Sequence, residues 1–386
     1  MTILQAKAEE PRLGLYFHIP FCARSCDFCA FYQEAPKRAE LDRYLDGMER
    51  SLAIRPPDRP ARTAFWGGGT PGLLPPADLE RLGRAMVRAN HGVVPEEWTV
   101  EMAPATVKAG RLDRLLAMGV NRISIGVQSF SARTLAALGR IHSTAQVEHA
   151  LRTVRDSGFA NLNLDLMFAI PGQSIGDWEA DLREAVAAGP AHLSCYCLTF
   201  EEDTALWLRL QRGETRRRSE EEEAAFHERS TALLEEAGFR QYEISNFARP
   251  GHACRHNLNT WDMQEWLGYG PSASSQYRGW RWTEPPSLAA WLEGLASGNP
   301  AFMDEQPLSP TLLAQDALIF GLRRNEGVDC AGLAGRFGRL PPGWATFAAS
   351  LLEEGLAAAE GTRFRLTPRG RLLADRIGAA ILEMTD

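Results

Sequence analysis

Three closely spaced cysteines constrain this chain more than any other feature of its sequence. Cys22, Cys26 and Cys29 stand in a CxxxCxxC spacing directly after a short apolar run at residues 15–19. The run predicts a β-strand, which puts the cysteines on the loop at its C-terminal end, where α/β folds place their chemistry. Thiolates are soft ligands that suit iron–sulfur clusters, zinc or copper(I). Three of them on one short loop would hold a four-iron cluster and leave one iron open to a small molecule.

Two other roles for these cysteines stay open on the residues alone. A structural zinc site would take a fourth Cys or His close by and close all four positions. A disulfide is disfavoured by the tight spacing and the odd number. The N-terminus lacks a signal-peptide pattern, so we expect a cytoplasmic protein, whose seven cysteines would serve as metal ligands or buried thiols.

The composition is typical of a globular protein without a membrane span. Of the 386 residues, 45% are hydrophobic and 24% are charged, and both fractions are ordinary. No run of 18 apolar residues occurs, so we expect no transmembrane segment. The net charge of −7 creates no overall field that would attract nucleic acid, and we expect no nucleic-acid partner.

The sequence around the cysteines resembles a known family signature. The string HIPFCARSCDFC at residues 18–29 is similar to the cluster motif of the radical S-adenosylmethionine (SAM) superfamily. Within that superfamily it resembles the subfamily of the oxygen-independent coproporphyrinogen oxidase and its heme-chaperone relative. The resemblance implies a [4Fe-4S] cluster on Cys22, Cys26 and Cys29, with SAM bound at the open iron.

Residues 14–199 alternate short β-rich runs with amphipathic helices, which indicates parallel strands joined by right-handed crossovers. The strands are predicted near residues 15–19, 63–66, 99–102, 122–126, 162–168 and 192–198. Helices are predicted at stretches such as 38–54, 76–90 and 177–188. Six such units are two short of a closed eight-stranded barrel, and the family resemblance implies an α/β fold with a partial, open (β/α)6 barrel.

The chain is predicted to divide into three units. Residues 12–200 form the radical SAM core, and residues 201–306, rich in helices and aromatic side chains, complete it. Residues 307–386 form a smaller, winged-helix-like unit of three helices and a two-stranded wing. Its first helix follows Ser309 as the N-cap, and the wing turns at residues 360–361. Winged modules often bind DNA, but this one has no clear basic excess.

Several polar residues and glycines lie at or just past the ends of the predicted strands, so they could meet on one face of the sheet. Glu101 and Gln128 end the third and fourth strands, and Asp165 lies inside the apolar fifth strand, where a carboxylate needs a partner. Arg140, like Glu101, could be a simple surface charge. The string FWGGGTP at residues 65–71 could be only a tight turn, since glycine accepts any backbone dihedral.

Resemblance to the subfamily implies that these residues bind SAM. FWGGGTP is similar to the FGGGTP string of the subfamily, and its main chain could approach the amino and carboxylate groups of methionine. The polar side chains offer acceptors for ribose hydroxyls and an ammonium, and a cation for a carboxylate. Phe28, between two cysteines, would lie near the adenine. The positions that match SAM-contacting residues of the subfamily are Tyr16, Phe28, Gly68, Gly69, Thr70, Glu101, Gln128, Arg140 and Asp165.

A third patch, residues 242–261, contains Cys254 and His256, two possible axial ligands of a heme iron among aromatic side chains. On composition alone, a hydrogen-bonded structural histidine explains His256 better. The string HNLNTW, which begins at His256, resembles the HNxxYW motif associated with heme binding in the heme chaperones, with Thr260 in place of the tyrosine. The resemblance implies heme as a cargo that His256 helps to bind.

One position separates the two activities of the subfamily. The oxidases carry a further cysteine two residues after the third, and Phe31 occupies that position here. We therefore predict a heme chaperone that delivers heme to respiratory enzymes and lacks coproporphyrinogen III oxidase activity. The alternative is the oxidase, in which a 5′-deoxyadenosyl radical made from SAM abstracts hydrogen from a propionate side chain. In both, the cluster receives one electron from a donor that the sequence does not identify. A DNA-binding regulator is a third class, disfavoured by the lack of a basic recognition face.

Overall fold

The computed structural model describes residues 11–298 and 302–384. Its centre is a row of six parallel strands that lie side by side in chain order and form an open partial barrel. These strands are β1 (Leu13–Ile19), β2 (Thr63–Gly68), β3 (Glu97–Met102), β4 (Arg122–Gln128), β5 (Asn161–Phe168) and β6 (His192–Cys197). The predicted strands are confirmed, and each begins and ends within two residues of its expected bounds.

Helices connect the strands of the partial barrel, and most of them pack on its outer face. They are α1 (Arg38–Ile54), α2 (Pro76–Ala89), α3 (Ala109–Met118), α4 (Ala132–Ala137), α5 (Thr144–Ser157) and α6 (Ile175–Ala187). Leu41, Leu45 and Met48 of α1 are spaced four and three residues apart and are buried, so one face of the helix packs on the sheet. α5 and α6 begin at capping boxes, in which Ser143 and Ser174 accept a hydrogen bond from the backbone N–H three residues later.

Residues 201–306 add strands to both edges of the row, and the sequence does not predict these strands. On one side β7 (Arg240–Gln241) and β8 (Asn246–Ala248) follow β6, with β8 antiparallel to it. On the other side β9 (Glu265–Tyr269) pairs in parallel with β1. The remaining elements of this region are β10 (Ser274–Tyr277), β11 (Trp280–Thr283), β12 (Met303–Pro307), α7 (Ala205–Gln211), α8 (Glu220–Glu236), α9 (Arg255–Trp261) and α10 (Leu288–Ser297). The strands β10, β11 and β12 continue the sheet beyond β9 in antiparallel order.

The two faces of the sheet differ in character. On the outer face, Phe17 stacks on Trp66 with ring centroids 5.7 Å apart, and Trp66 meets the edge of Trp98 at 5.1 Å. Successive strand residues point to opposite faces, so their neighbours line the barrel interior, where buried polar side chains such as Glu97 and Arg122 lie. Along residues 11–298 and 302–384, no helix is both long enough and apolar enough to cross a membrane.

The C-terminal residues form a smaller unit with a core of its own, in which the rings of Trp344 and Phe364 lie 5.1 Å apart. Its elements are α11 (Pro310–Leu322), β13 (Val328–Asp329), α12 (Cys330–Phe337), α13 (Trp344–Glu353), β14 (Ala357–Glu360), β15 (Arg363–Leu366), α14 (Pro368–Arg371) and α15 (Ala374–Leu382). Ser309 caps α11 by accepting a hydrogen bond from the Leu312 amide at 3.1 Å. The unit differs from the expected three helices and two strands, because the described part contains five helices and β13 adds a third strand beside β15.

Candidate functional site

The three cysteines lie on residues 20–34, which we call the cluster loop. The loop closes on itself through a hydrogen bond of 3.0 Å from the Cys22 amide to the Glu34 carbonyl. Its middle is fixed by Asp27, whose amide donates to the carbonyl of Leu138, just after α4, at 3.1 Å. The cluster loop is therefore held over the C-terminal ends of the parallel strands.

A polar side chain lies beside each cysteine sulfur, from the cluster loop itself or from other parts of the chain. The pairs are Arg140 Nη1 with Cys26 Sγ at 3.2 Å, Gln33 Nε2 with Cys29 Sγ at 2.8 Å, and Thr70 Oγ1 with Cys22 Sγ at 3.5 Å. Burial raises the pKa of Cys22 and of Cys29, and repulsion between the thiolates adds to the rise. The N–H donors act in the opposite direction, because they stabilise the charged thiolate that binds metal.

These thiols suit an iron–sulfur cluster as a donor set. Within the described residues, no three His, Cys, Asp or Glu side chains are placed to hold one metal ion between them. A four-iron cluster has a different requirement, because each thiolate binds a different iron. Three half-buried thiols on one loop, with N–H donors at two of the sulfurs, fit a cluster in which one iron has no protein ligand.

The glycines of FWGGGTP let the segment after β2 pack closely on the cluster loop. Gly68 has φ +96°, and a Cβ there would lie 2.6 Å from the ring of His18. A Cβ on Gly69 would lie 2.7 Å from the last carbonyl oxygen of β1. The amide of Thr70 donates to the Phe21 carbonyl at 2.8 Å. Loop packing therefore requires glycine here, and it brings this main chain next to the cysteines.

Glu101 and Asp165 are two half-buried carboxyl groups on the interior face of the sheet. Glu101 accepts a hydrogen bond from the amide of Gly68, while burial raises its pKa to about 8 and the charge of Asp165 adds to the rise. Asp165 accepts hydrogen bonds from Ser124 Oγ at 2.9 Å and Asn163 Nδ2 at 2.8 Å, and burial raises its pKa as well. The expected partners of the Asp165 carboxylate are thus the hydroxyl of Ser124 and the side-chain amide of Asn163.

Arg140 joins the cluster loop to β4. Its Nη1 faces Cys26, and its Nη2 donates to the Gly126 carbonyl at 2.6 Å. A Cβ on Gly126 would lie 2.9 Å from Nη2, so a side chain there would displace the guanidinium. Gln128 ends β4 with φ +66°, at a register shift in the pairing with β5. Such bulges redirect a side chain at the rim of a barrel. This one puts the side-chain amide of Gln128 beside the Arg140 guanidinium.

Tyr16 and Phe28 lie on different sides of the same region. The ring of Tyr16 stacks on Phe65 with centroids 6.4 Å apart, and its hydroxyl is 3.3 Å from His18 Nδ1. Phe28 packs against a separate apolar group near the ends of β5 and β6, which includes Met167. Seven of the nine predicted SAM residues lie at the C-terminal ends of β1 to β4 or on the loops that follow them, and Tyr16 and Asp165 lie in the middle of β1 and β5.

Two residues of this region were not predicted. His18 lies between Tyr16 and the Gly68 backbone, and burial lowers its pKa. Gln33 donates to Cys29 Sγ from the returning part of the cluster loop. The position of His18 just before the cysteine motif was the only sequence signal, and Gln33 gave none, because a polar residue in a loop is ordinary.

The residues predicted for heme lie at the opposite end of the barrel. Helix α9 crosses the N-terminal ends of β1 to β3, and together with Gly14, Thr63 and Glu97 it forms what we call the barrel floor. The Glu97 carboxylate accepts hydrogen bonds from the backbone N–H groups of Arg255 at 3.0 Å and His256 at 2.9 Å. At a rise of about 3.3 Å per residue, the length of β1 separates the barrel floor from the cluster loop by roughly 16 Å.

His256 and Cys254 are buried in the barrel floor and have protein partners. His256 Nδ1 lies 3.0 Å from Thr63 Oγ1, and burial, with the nearby charge of Arg122, lowers the pKa of His256 to about 4. Cys254 Sγ lies 3.4 Å from Glu97 Oε1, and burial raises the pKa of Cys254 to about 12. Neither residue contacts a predicted SAM residue directly, although the ring of Phe65 lies 5.4 Å from that of His256 and 6.4 Å from that of Tyr16.

The other end of α9 contacts the C-terminal unit. The ring of Trp261 meets the edge of Phe320 of α11 at 5.7 Å, and the Arg323 guanidinium lies 5.6 Å from the Trp261 ring centre. The HNLNTW string therefore has its histidine in the barrel floor and its tryptophan against the C-terminal unit.

Comparison with known proteins identifies both parts of the chain. The family model of the radical SAM superfamily matches residues 16–185, and that of the HemN C-terminal domain matches residues 308–373. The heme chaperone HemW of Mycobacterium tuberculosis is 34% identical over 99% of this chain and 100% of its own length. The chain belongs to the HemW family of radical SAM proteins. HemW of Escherichia coli is 38% identical over 68% of this chain and 70% of its own length.

A solved structure shares the fold of this HemW family member. The coproporphyrinogen III oxidase HemN of Escherichia coli matches 97% of this chain and 91% of its own with a TM-score of 0.83, at 24% identity. The predicted subfamily, the partial barrel and the smaller C-terminal domain are confirmed. Membership of the radical SAM superfamily implies a [4Fe-4S] cluster and SAM. The assignment of individual residues to these groups stays a prediction.

Proposed function

We propose that this protein is a heme chaperone of the HemW type, which holds a [4Fe-4S] cluster, binds SAM and delivers heme to respiratory enzymes. The observation that carries the proposal is the match to the heme chaperone HemW of Mycobacterium tuberculosis along nearly the whole of both chains. Phe31 supports it, because its side chain is 65% exposed on the cluster loop at the position where the oxidases carry a further cysteine.

Cys22, Cys26 and Cys29 would hold the cluster. When bound, the cluster supplies a redox centre with one iron open to SAM. Arg140 and Gln33 would donate hydrogen bonds to the cysteine sulfurs and offset their negative charge, as such bonds do at other clusters.

The residues at the strand ends would bind SAM. The main chain of residues 68–70 would bind its methionine end, Arg140 would offer a cation to its carboxylate, and Glu101 and Asp165 would accept hydrogen bonds from its ammonium and ribose hydroxyls. Asp165→Ala and Glu101→Ala should each lower the affinity for SAM about tenfold to a hundredfold, since a hydrogen bond to a charged group contributes roughly 1.5–3 kcal/mol. Calorimetry on cluster-loaded protein measures this loss, and unchanged affinity in both variants would place the pocket elsewhere.

His256 would contribute to heme binding through its Nε2. Thr63 holds Nδ1, while Nε2 has no hydrogen-bond partner within residues 11–298 and 302–384. The low pKa of the ring keeps it neutral, which is the form that binds iron. Because the residue is only 9% exposed and its ring lies 5.4 Å from that of Phe65, heme would reach it only after the groups around His256 rearrange. His256→Ala should then change the heme spectrum or weaken heme retention and leave the cluster intact.

The deciding experiment supplies heme and coproporphyrinogen III separately to the anaerobically reconstituted protein, with SAM and a strong reductant present. We expect the protein to bind heme, to pass it to a heme-free respiratory enzyme, and to leave coproporphyrinogen III unchanged. Formation of protoporphyrinogen IX would show that the protein is the oxidase and not the chaperone. An unchanged heme spectrum in His256→Ala would be compatible with the chaperone function, but it would show that another residue binds the heme iron.

A further inference from the structure

A chain of hydrogen bonds runs through the barrel interior from Asp165 to Tyr242. Asn163 Nδ2 donates to Asp165 Oδ1 at 2.8 Å, and Asn163 Oδ1 lies 2.6 Å from His192 Nδ1. His192 Nε2 lies 2.9 Å from the hydroxyl of Tyr242. Asn163 is 2% exposed and His192 is fully buried, so protein groups rather than bulk water satisfy these atoms.

The chemistry of the groups fixes the direction of each bond. A carboxylate only accepts hydrogen bonds, so Asn163 turns its nitrogen to Asp165 and its oxygen to His192. The Asn163 oxygen only accepts, so His192 carries its proton on Nδ1. Nε2 of the same ring then accepts from the Tyr242 hydroxyl. Burial holds the pKa of His192 well below its ordinary value, which agrees with a neutral ring.

The same chain continues into the barrel floor. The Tyr242 oxygen also accepts from the backbone N–H of Cys254, the residue before α9, at 3.4 Å. Cys254 Sγ and the His256 amide both contact Glu97 Oε1, at 3.4 Å and 2.9 Å. The side chains of Asn163, His192 and Tyr242, which we call the interior relay, therefore connect Asp165 to the start of α9.

We propose that His192 and Tyr242 are positioning residues for SAM: through Asn163 they hold the Asp165 carboxylate in its SAM-binding orientation and couple that orientation to the start of α9. This inference rests on the proposed function, because it takes Asp165 as a SAM ligand. Binding free energies are reciprocal, so SAM should in turn stabilise the interior relay and the first turn of α9.

Tyr242→Phe is the direct test, because it keeps the ring and removes the hydroxyl that joins His192 to Cys254. We expect the SAM affinity of the cluster-loaded protein to fall about three- to tenfold, the effect of one buried hydrogen bond, with unchanged iron content. Tyr269→Phe is the matched control. The Tyr269 hydroxyl donates to the Arg55 carbonyl at 2.7 Å in the core outside the barrel, so SAM affinity should stay at the wild-type value.

A double-mutant cycle separates positioning from general loosening of the structure. In an Asp165→Ala background, Tyr242→Phe should no longer change SAM affinity, because the group through which it acts is absent. Hydrogen exchange gives a second readout. SAM should slow the exchange of the Cys254 and His256 amides in the wild type and have less effect on them in Tyr242→Phe.

The outcomes distinguish the interior relay from the SAM pocket itself. If Asp165→Ala lowers the affinity for SAM but Tyr242→Phe binds SAM as the wild type does, the proposed role of the interior relay is wrong and the proposed SAM pocket is still supported. An equal loss from Tyr242→Phe with and without Asp165 would also overturn the relay, since the effect would not pass through the carboxylate. Unchanged affinity in Asp165→Ala would overturn the relay, and unchanged affinity in Glu101→Ala as well would overturn the SAM pocket.

Discussion

Glu101 is a half-buried carboxyl group that lies close to a second carboxyl group, Asp165. Its pKa of about 8 lies well above the ordinary value of 4.5. Because the folded state favours the neutral form, the stability that Glu101 contributes is fully present below about pH 4.5 and is lost as the pH rises through 8. A bound cation would favour the charged form instead, and SAM carries both a sulfonium and an ammonium.

Glu101→Gln should therefore remove a pH-dependent loss of stability. SAM-free, cluster-loaded wild type should lose stability relative to this variant as the pH rises from about 4.5 to about 8, by an amount on the order of a few kcal/mol. Urea denaturation at several pH values measures the difference. Glu202→Gln is the control, because Glu202 is exposed and its removal should leave the pH dependence of the wild type. A constant difference between Glu101→Gln and wild type at all pH values would contradict the raised pKa.

The cluster should depend on the three cysteines of the cluster loop and on no other cysteine. Anaerobic reconstitution of the wild type should give about four irons per chain. Replacing Cys22, Cys26 or Cys29 by Ser should remove most of the iron and the charge-transfer absorption, because each thiolate is the sole protein ligand of one iron. Cys197→Ser is the control and should keep both. A full cluster in Cys26→Ser would show that the ligand set is different.

The site residues that carry a local or family signal are predictable from the sequence. Asp165 stood out because a charge inside an apolar strand needs partners, and the cysteine spacing is itself a ligand pattern. His192 and Tyr242 could not be found in this way. His192 meets Asn163 only because β5 and β6 pair in the register that sets those two residues side by side, and no local pattern in the sequence records that register.

Helix α9 is a short element held in place by its ends. The Glu97 carboxylate binds the N–H groups at its start, where the helix dipole favours negative charge, and Trp261 packs on the C-terminal unit at its other end. A seven-residue helix has little stability of its own, so these contacts decide whether it forms.

Glu97→Gln should lower the free energy of unfolding more than the removal of any single surface charge would. The expected loss is about 2 kcal/mol, since hydrogen bonds to a charged group are replaced and the buried Arg122 loses a neighbouring negative charge. Glu96→Gln is the matched control, because its half-exposed carboxylate pairs with Arg255 at the surface and should contribute less than about 1 kcal/mol. Urea denaturation compares the two, and equal losses would contradict the buried role of Glu97.

The strands that were predictable from the sequence are longer and more buried than those that were not. Each strand of the central row has at least six residues and a mostly buried, apolar pattern, so its run was detectable. β7 has two residues and β8 has three, which is too short for any periodicity, and β12 is exposed along its whole length. The pairing of β9 with β1 joins distant parts of the chain and leaves no local trace.

At the scale of the whole molecule, Asp262 ties three parts together. Its carboxylate pairs with Arg12, ahead of β1, at 2.6 Å and with Arg324, just after α11. Its carbonyl accepts a hydrogen bond from Arg336 of α12 at 3.0 Å. One residue directly after α9 thus connects the start of the barrel, the barrel floor and the C-terminal unit.

Asp262→Ala should loosen the docking of the C-terminal unit. We expect a loss of about 1–2 kcal/mol, more than one exposed ion pair contributes, because the carboxylate is 24% exposed and serves two arginines. Asp375→Ala is the matched control, since that side chain is 92% exposed and its pair with Arg323 should contribute less than about 0.5 kcal/mol. Urea denaturation measures both, and an Asp262→Ala variant as stable as the wild type would contradict this role.

β9 gives β1 its second neighbour in the sheet, although β9 begins only at Glu265. Until the ribosome has synthesised that part of the chain, the first strand of the barrel has one unpaired edge, and an unpaired edge can bind strands of other chains. At about 5–20 residues per second, the interval lasts on the order of tens of seconds. Closure of this side of the sheet is therefore a late event for the nascent polypeptide, in which β9 competes with any neighbouring chain for the same row of backbone groups.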